Sequence, residues 1–451
     1  MLHLKNKNCI FAAMIQRTFR AFSIENSKDF KQNLLSWSQQ FETALWLDSN
    51  NHNQQYTSFD SALAAEEFTA IKTDYSNAFD KLKEYQTITE DYIFGYISYD
   101  VKNDVEQLSS KNFDGLDFPD LYFFQPQKLI FIKGKNIEFH YLKMVADEIE
   151  SDFKEIQNYV DPSLDCELGD TDEDIKIKLR IHKDDYYAKV NTVLDHINRG
   201  DIYEANFCQE FYAENARIEP LNVYKHLNEI SEPPFASFLK MDHQYALCAS
   251  PERYLKKEGT KIISQPIKGT AKRLISTIDD AKIASDLMRD EKERAENVMI
   301  VDLVRNDLSK TAKKGTVKVE ELCKVYSFKQ VHQMISTVVS EIDTAMHPIE
   351  SLRSTFPMGS MTGAPKFSAM KIIENLEETK RGLYSGTIGY FTPENDFDFN
   401  VVIRSILYNE EKKYISYSVG GAITAKSVAE KEYEECLLKA KAMKYVLLNS
   451  K

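Results

Sequence analysis

The order of the predicted strands and helices constrains the fold of this chain more than any other feature of its sequence. Runs of apolar, β-branched and aromatic residues predict three strands, at 386–391, 399–408 and 414–424, with no helix between them. A helix over 428–447 then closes the series. A doubly wound fold would place a helix after each strand, so this pattern favours an α+β fold based on a sheet.

Helix and strand signals predict further elements earlier in the chain. Apolar residues at helical spacing end at Arg199, and Gly200 follows as a typical helix stop. We also predict a strand over 202–212 and a long helical region over 281–314. A further helix is predicted over 366–379, with Pro365 at its start. Strands and long helices therefore mix without a regular alternation.

The clearest boundary between regions in the sequence is an acidic, turn-rich run over 161–174, which is typical of an exposed linker. We therefore predict an N-terminal region over 14–175 and a catalytic region over 180–447. The basic stretch before Met14 contains only a short apolar patch and no cleavage-site pattern. We interpret it as the product of an upstream start codon rather than as a targeting segment.

Charge and cysteine usage narrow the functional classes. The net charge of −13 argues against nucleic acid or an anionic membrane as the main partner. Six scattered cysteines without a Cys-x-x-Cys pair fit neither a disulfide framework nor a zinc site, so we predict a cytoplasmic location. No stretch approaches the ~20 apolar residues of a membrane helix. Nucleotide-binding glycine motifs and nucleophile elbows are also absent from the sequence.

Lys268 stands in the segment Pro-Ile-Lys-Gly-Thr over 266–270, between an apolar run and a Gly-Thr turn. An amine held at the edge of a sheet, partly out of water, loses basicity and can act as a nucleophile. A lysine directly after a strand is more often a solvated end residue. The segment alone leaves both interpretations open.

Two predicted helices each carry a pair of glutamates three residues apart, so the members of a pair share one helix face. The pairs are Glu293 with Glu296 and Glu432 with Glu435. Four carboxylates brought together would repel one another unless a hard cation, Mg²⁺ above all, compensates them. Surface helices of acidic proteins also carry such pairs, so spacing alone does not establish a metal site.

Three further features could hold an anionic ligand. Hydroxyl and glycine residues from Ser360 onward precede the helix at Pro365, and free N–H groups at a helix start attract anions, although simple N-capping fits as well. Arg404 lies in a predicted apolar strand and needs a carboxylate partner, either internal or bound. Gly420 and Gly421 would allow a ligand to approach backbone N–H groups.

Taken in order, these segments resemble the motifs of the chorismate-utilising enzymes over roughly residues 180 to 447. The matching segments are 200–206, 250–253, 266–270, 290–297, 301–308, 363–366, 402–404 and 432–439. The resemblance implies the chorismate-binding enzyme fold, in which two large β-sheets form a sandwich flanked by helices.

Two positions sort the activities within this family. Anthranilate synthase large subunits have alanine in place of Lys268 and histidine in place of Asn297, whereas this chain resembles the members that form 4-amino-4-deoxychorismate. The resemblance implies that the Lys268 amine attacks C2 of chorismate while the C4 hydroxyl leaves, and that ammonia then adds at C4 and displaces the lysine. It implies an acid/base role for Glu252. Asn297 cannot titrate, so pyruvate elimination is left to a separate lyase.

The resemblance also implies the remaining site residues. Glu296 and Glu435 would be the principal Mg²⁺ ligands, and Glu293 and Glu432 would complete the shell directly or through water. The substrate-binding residues would be Ser360, Thr270, Tyr384, Arg404, Gly420, Gly421 and Lys439.

Two residues depart from the family pattern. Relatives that use ammonia usually have glutamine where this chain has Glu204, and relatives that add water have lysine. A carboxylate there could collect or deprotonate ammonium, or it could be a tolerated isostere. Ala422 stands where a Gly-Ala-Gly pattern would place its last glycine.

The resemblance implies that a separate glutamine amidotransferase subunit supplies the ammonia in a heterodimer, within 4-aminobenzoate and folate biosynthesis. Three alternatives stay open at this point. They are an anthranilate synthase component I, an isochorismate or salicylate synthase, and a non-catalytic chorismate-binding homologue that acts as a sensor.

Overall fold

The computed structural model describes residues 16–52, 55–160, 175–274, 276–329 and 331–449. The predicted linker over 161–174 and the start-codon interpretation at Met14 lie outside these ranges. Within the described residues, none of the helices is both long enough and apolar enough to cross a membrane.

The described ranges contain twenty β-strands and eleven α-helices. The strands are β1 (Arg17–Ser23), β2 (Thr43–Asp48), β3 (Ser61–Thr73), β4 (Ile93–Ile97), β5 (Leu121–Lys133), β6 (Asn136–Leu142), β7 (Lys178–Leu179), β8 (Glu204–Ala213), β9 (Phe235–Met241), β10 (Gln244–Ser250), β11 (Arg253–Glu258), β12 (Lys261–Gln265), β13 (Ile267–Lys272), β14 (Lys318–Ser327), β15 (Val331–Glu341), β16 (Gly363–Ala364), β17 (Thr387–Phe391), β18 (Phe397–Asn400), β19 (Ser405–Asn409) and β20 (Tyr414–Thr424). The helices are α1 (Ser27–Trp37), α2 (Ala78–Thr89), α3 (Lys102–Glu106), α4 (Ile149–Gln157), α5 (Lys183–Arg199), α6 (Pro220–Ser231), α7 (Thr277–Arg289), α8 (Glu291–Ser309), α9 (Pro348–Thr355), α10 (Lys366–Leu376) and α11 (Ala429–Asn449).

Antiparallel pairing connects the named strands into two layers. The first layer has the order β1-β6-β5-β3-β2-β9-β10-β19-β20-β8, with the short β7 and β16 also paired to β8. The second has the order β4-β17-β18-β11-β12-β15, with β13 and β14 paired to β15. β5 joins the layers, because its early residues pair with β4 and its later residues with β6.

Both faces are buried in the middle of the first layer, which explains why β2, β9, β10 and β19 are largely apolar. Along β3, Ala62 and Ala64 enter the core between the layers, whereas Leu63 and Ala65 enter a second core on the outer face. Successive side chains of a strand point to opposite faces, so each face is filled from alternate positions. Helices α1, α5, α6 and α11 cover the outer core. The predicted α+β sandwich flanked by helices is confirmed.

Strands from both predicted regions share these layers. β2 pairs with β9, and β4 pairs with β17, so segments before residue 160 and after residue 180 lie side by side. The predicted boundary between regions 14–175 and 180–447 therefore divides the sequence but not the sheet.

Several element boundaries differ from the sequence-based predictions. The region 281–314 is two helices, α7 and α8, because the Asp290 carboxylate accepts the N–H of Glu293 and begins a new helix. The predicted strand 399–408 is interrupted between Asn400 and Ser405. The predicted end of the helix at Arg199 is confirmed, with Gly200 in the left-handed conformation.

Candidate active site

At two of the places where the chain crosses from one layer to the other, a predicted site residue lies at the crossing. Glu252 stands between β10 of the first layer and β11 of the second. Arg404 stands between β18 of the second layer and β19 of the first. The N–H of Val401 donates to the carbonyl of Glu252 at 3.0 Å, so the two crossings are tied together. Glu252 and Arg404 therefore both lie in connections between the layers, outside the named strands.

The surroundings of Glu252 favour its neutral form. Its side chain is only 5% exposed, and burial raises the pKa of its carboxyl from the ordinary 4.5 to about 7. A hydrogen bond from Ser360 and the charges of Lys268 and Arg404 oppose this rise in the pKa. A cavity of about 20 Å³ borders Glu252 and Ser360. A carboxyl with a pKa near neutrality can both give and take a proton at neutral pH.

Arg404 occupies a strained backbone position, with a φ of 52° in the left-handed region. Burial lowers the pKa of its guanidinium, and the nearby charge of Glu252 opposes that shift. No hydrogen bond from this guanidinium is found among the described residues, although it could donate five. A half-buried guanidinium that makes no hydrogen bond to the described residues can receive a carboxylate in a bidentate manner.

Lys268 lies on a bulge at the start of β13. The pairing of β13 with β15 shifts register between Ile267 and Thr270, so Lys268 and Gly269 are left out of the ladder. Gly269 has a φ of 96°, and a Cβ there would lie 3.2 Å from Oε2 of Glu293. The bulge therefore requires glycine, and it directs the preceding lysine out of the strand pattern.

The Lys268 amine is surrounded by carboxylates. Its Nζ lies 3.4 Å from Oε1 of Glu204, and its side chain is 14% exposed. Burial lowers the pKa of Lys268, but the charges of Glu204, Glu296 and Glu252 outweigh burial and hold the pKa above its ordinary value. Lys268 is therefore not a solvated strand end, and burial does not make its amine less basic, because three negative charges converge on it.

Asn297 is one of the two residues by which the resemblance distinguishes the activities of the family. Both polar atoms of its side chain have hydrogen-bond partners. Its Nδ2 donates to the carbonyls of Lys268 at 3.3 Å and Met334 at 3.2 Å. Its Oδ1 accepts from Ser336 at 2.5 Å, and the Cys323 thiol also donates to it. Asn297 thus fixes the main chain of Lys268, the candidate nucleophile.

The four predicted metal ligands form one electrostatic cluster on α8 and α11. Burial is the largest cause of the raised pKa values of Glu293, Glu296 and Glu432, and neighbouring glutamates of the cluster raise the pKa further in each case. Partial desolvation raises the pKa of the half-exposed Glu435 too, but the charges of Lys439, Lys292 and Lys268 and a hydrogen bond from Lys439 together lower it more, so that its pKa lies below the ordinary value.

Lys292 stands amid this cluster, and the sequence analysis did not single it out. Burial lowers the pKa of Lys292, while the charges of all four glutamates raise it more. Its Nζ lies 3.8 Å from Oε1 of Glu296, an i,i+4 spacing that was readable in the sequence. Among the described residues, no three His, Cys, Asp or Glu side chains are close enough to hold a metal ion. The donor chemistry, carboxylates only, nevertheless fits a hard cation.

Gly421 allows β20 to lie close to α11, whereas Gly420 faces β8, where a Cβ would clash with Sγ of Cys208. A Cβ at Gly421 would lie 3.3 Å from Oε2 of Glu432. Nζ of Lys439 donates to the carbonyl of Gly420 at 2.8 Å and pairs with Glu435 at 2.7 Å. Three predicted substrate-binding residues therefore border the carboxylate cluster.

Two predicted substrate-binding residues make no hydrogen bond, among the described residues, with Lys268, Glu252 or the glutamate cluster. Tyr384 is buried, and its hydroxyl donates to Sγ of Cys208. Thr270 is exposed, and its backbone pairs with Gln333. For these two residues a role toward substrate stays a prediction.

Comparison with known proteins agrees with this geometry. The family described as chorismate binding enzyme matches residues 31–445. The chloroplastic aminodeoxychorismate synthase of Arabidopsis thaliana is 40% identical over 263 residues, which are 58% of this chain and 28% of that protein. Anthranilate synthase component 1 of Aquifex aeolicus is 32% identical over 369 residues, covering 78% of this chain and 73% of that protein. The chain thus spans less than a third of the length of the plant relative.

Among solved structures, anthranilate synthase component I of Streptococcus pneumoniae superposes with a TM-score of 0.74 at 25% identity. The superposition covers 87% of this chain and 94% of that one. The two-layer fold described above is therefore shared over nearly the full length of that enzyme.

Proposed function

The chain belongs to the family of chorismate binding enzymes, and from this premise we propose that it aminates chorismate to 4-amino-4-deoxychorismate. The observation that carries the proposal is the placement of Lys268. A lysine stands on a glycine bulge inside the site, beside a buried acid with a pKa of about 7. Asn297 holds its main chain. By resemblance, the combination of Lys268 with Asn297 is that of the family members that form 4-amino-4-deoxychorismate rather than that of the anthranilate synthases.

In the proposed reaction, the Lys268 ammonium first gives a proton to one of the carboxylates around it, and the neutral amine then forms a bond to C2 of chorismate as the C4 hydroxyl departs. Glu252 in its protonated form gives its proton to the departing oxygen, which leaves as water. Ammonia then bonds to C4, the electron pair of the C2–Nζ bond returns to Nζ, and the released amine takes back its proton from the same carboxylate. The pKa of Glu252 supports this role, because a carboxyl that stays protonated near pH 7 can act as a general acid.

Chorismate carries carboxylates that need cationic or N–H partners. The unpaired guanidinium of Arg404 supports binding of one of them. We assign the other contacts to Ser360, Gly420, Gly421 and Lys439, which border the same site. Thr270 and Tyr384 complete the proposed set.

We propose Mg²⁺ as the cofactor, with Glu296 and Glu435 as principal ligands and Glu293 and Glu432 completing the shell. The raised pKa values of three of these carboxyls support this choice, because a bound cation would relieve their mutual repulsion. When bound, Mg²⁺ would supply positive charge to a chorismate carboxylate.

Ammonia is proposed to come from a separate glutamine amidotransferase subunit, in a heterodimer that serves 4-aminobenzoate and folate synthesis. The cytoplasmic location also stays a prediction. Mass measurement of the intact complex, with a glutamine amidotransferase added, would test the partner.

The decisive experiment incubates the purified chain with chorismate, MgCl₂ and ammonium, and identifies products by liquid chromatography with mass detection. We expect 4-amino-4-deoxychorismate, with loss of product in Lys268→Ala. Lys272→Ala is the matched control, because Lys272 lies exposed on the same strand.

Fluorescent anthranilate formed without an added lyase would contradict the proposal in favour of anthranilate synthase chemistry. Binding of chorismate without any turnover would favour the non-catalytic homologue. Undiminished amination by Lys268→Ala would refute the covalent role of the lysine.

A further inference from the structure

Arg381 is a buried arginine that lies outside the set of predicted site residues. It stands between α10 and β17 and is only 6% exposed. Its guanidinium forms a bidentate pair with Glu377, in which Nε donates to Oε2 at 2.9 Å and a terminal nitrogen donates to Oε1 at 2.7 Å. The terminal nitrogens also donate to the carbonyl of Met361 at 2.6 Å and to the carbonyl of Asn206 at 2.7 Å. Four of the five N–H donors of the guanidinium are therefore bonded inside the protein.

The two main-chain carbonyls belong to segments that carry site residues. Met361 ends the Ser360 turn, a short 3₁₀ turn over Gly359–Met361. Asn206 lies on β8, and its own N–H donates to the carbonyl of Thr362 at 2.7 Å. Its Nδ2 donates to the carbonyl of Ser360 at 2.7 Å. The guanidinium therefore fastens the Ser360 turn to β8, because it bonds to the main chain of both.

The segment that carries Arg381 is held by the N-terminal region. The ring of Tyr99 lies against the guanidinium, with its centroid 4.5 Å from Cζ of Arg381. The N–H of Tyr99 donates to the carbonyl of Gly382 at 2.8 Å, and the N–H of Gly382 donates to Oδ2 of Asp100 at 2.8 Å. Residues before position 160 thus contribute to the placement of this arginine.

The position of the Ser360 turn affects the general-acid candidate, because Ser360 donates a hydrogen bond to Glu252. Burial raises the pKa of this carboxyl, and the Ser360 hydrogen bond is the largest of the causes that lower it. The charge of Lys268 on β13, the N–H of Ile267 and the charge of Arg404 at the layer crossing lower the pKa as well. Within this set, Ser360 is the group that the turn carries.

We propose that Arg381 is a positioning residue for the general acid: its guanidinium holds the Ser360 turn so that the Ser360 hydroxyl stays within hydrogen-bond reach of Glu252. The assignment of Glu252 as that acid rests on the proposed function. A lysine cannot replace this arginine, because its ammonium has three donors on one atom and cannot form a bidentate pair while it also reaches two separate carbonyls. Arg381 acts on the reaction through the main chain of the turn.

The test is an infrared titration of Glu252 in the wild-type chain and in Arg381→Lys, both without substrate. A protonated carboxyl has its own C=O stretching band, and the band that Glu252→Gln lacks belongs to Glu252. Arg381→Lys keeps the positive charge but releases at least one carbonyl, so the Ser360 turn loosens and its hydrogen bond to Glu252 weakens. We expect the midpoint of the band to move to higher pH by about half a pH unit.

Amination kinetics provide a second measurement. We expect kcat of Arg381→Lys to fall between about tenfold and a hundredfold, because the acid is no longer held in its working position. The alkaline limb of kcat/KM for chorismate should move to higher pH together with the infrared midpoint. A residue that only stabilises the fold would lower the melting temperature and move neither pH value.

Arg180→Lys is the matched control, because the Arg180 guanidinium also bonds to a glutamate, Glu210 of β8, and to the hydroxyl of Tyr414. This variant should leave the Glu252 midpoint and kcat at the wild-type values. Asn206→Ala covers the case in which Arg381→Lys fails to fold, because it removes only the amide that donates to the carbonyl of Ser360. Its midpoint should move in the same direction.

A wild-type midpoint in folded Arg381→Lys, or in Asn206→Ala where Arg381→Lys does not fold, would overturn the positioning role. An equal shift in Arg180→Lys would overturn it too. The infrared titration needs no turnover, so it is independent of the amination assay. A lack of aminated product from the wild-type chain would contradict the proposed function, whereas the midpoints alone decide whether Arg381 holds the hydrogen bond to Glu252.

Discussion

The side-chain amide of Asn297 donates a hydrogen bond to the main-chain carbonyl of Lys268, at 3.3 Å. The residue by which the family resemblance sorts the activities therefore also holds the bulge on which the lysine stands. Because Asn297 additionally joins Met334 and Ser336, one side chain connects α8 to both strands behind the site. Asn297 therefore has a structural role in addition to its place in the sequence motif.

Removing that amide is expected to loosen the lysine. In Asn297→Ala, the carbonyls of Lys268 and Met334 lose their donor, which should lower the free energy of unfolding by about 1–3 kcal/mol and reduce kcat. Urea unfolding and steady-state kinetics measure the two effects. Asn306→Ala on the exposed face of the same helix serves as control and should change neither. Equal stability of the two variants would contradict the role.

The pH dependence of stability should report Glu252. Its pKa of about 7 in the folded chain lies above the ordinary 4.5, so the folded chain binds this proton more tightly than the unfolded chain. Its contribution to stability is therefore present below about pH 4.5 and is lost as the pH rises toward 7, by about 3 kcal/mol in all.

Glu252→Gln should abolish that loss. The difference in unfolding free energy between wild type and this variant is then expected to fall across the same pH range. Glu258→Gln, at an exposed position of β11, is the control and should follow the wild type. A difference that is independent of pH would show that the carboxyl titrates normally.

The bulge glycine should not tolerate a side chain. Gly269→Ala combines a φ of 96° with a Cβ placed 3.2 Å from Glu293, and we expect a loss of about 1–3 kcal/mol in the free energy of unfolding. Gly315→Ala has a comparable φ of 78° but no neighbour within 4 Å, so it should cost about 1 kcal/mol. Thermal and urea unfolding measure both. If Gly315→Ala is equally destabilising, the contact with Glu293 is irrelevant.

Adding Mg²⁺ should stabilise the folded chain if the glutamate cluster binds it. At about 100 times Kd, the cation would add about 2.7 kcal/mol to the free energy of unfolding. The measurement is the melting temperature with and without MgCl₂, and chelation should reverse the effect. Glu296→Gln and Glu435→Gln should each reduce it. Glu434→Gln, exposed on the same helix, should keep it; a Mg²⁺ response that survives in all three would place the ion elsewhere.

Local signals predicted the helix stop at Gly200 and the glutamate pairs, because capping and helical spacing depend on neighbouring residues. The interruption before Arg404 was missed for a non-local reason. The strand ends there because the chain changes partners, from β11 and β17 in one layer to β10 and β20 in the other. An apolar run contains no information about which strand lies beside it.

The sequence by itself determined the family, the α+β class and the chemical groups of the site, because these are recorded in residue identities and their order. Tertiary structure alone decided the charge of Lys268. Three carboxylates reach it from β8, from the crossing after β10 and from α8, and together they reverse the loss of basicity that burial predicts. Electrostatic interaction depends on separation in space, so no local pattern could have predicted its sign.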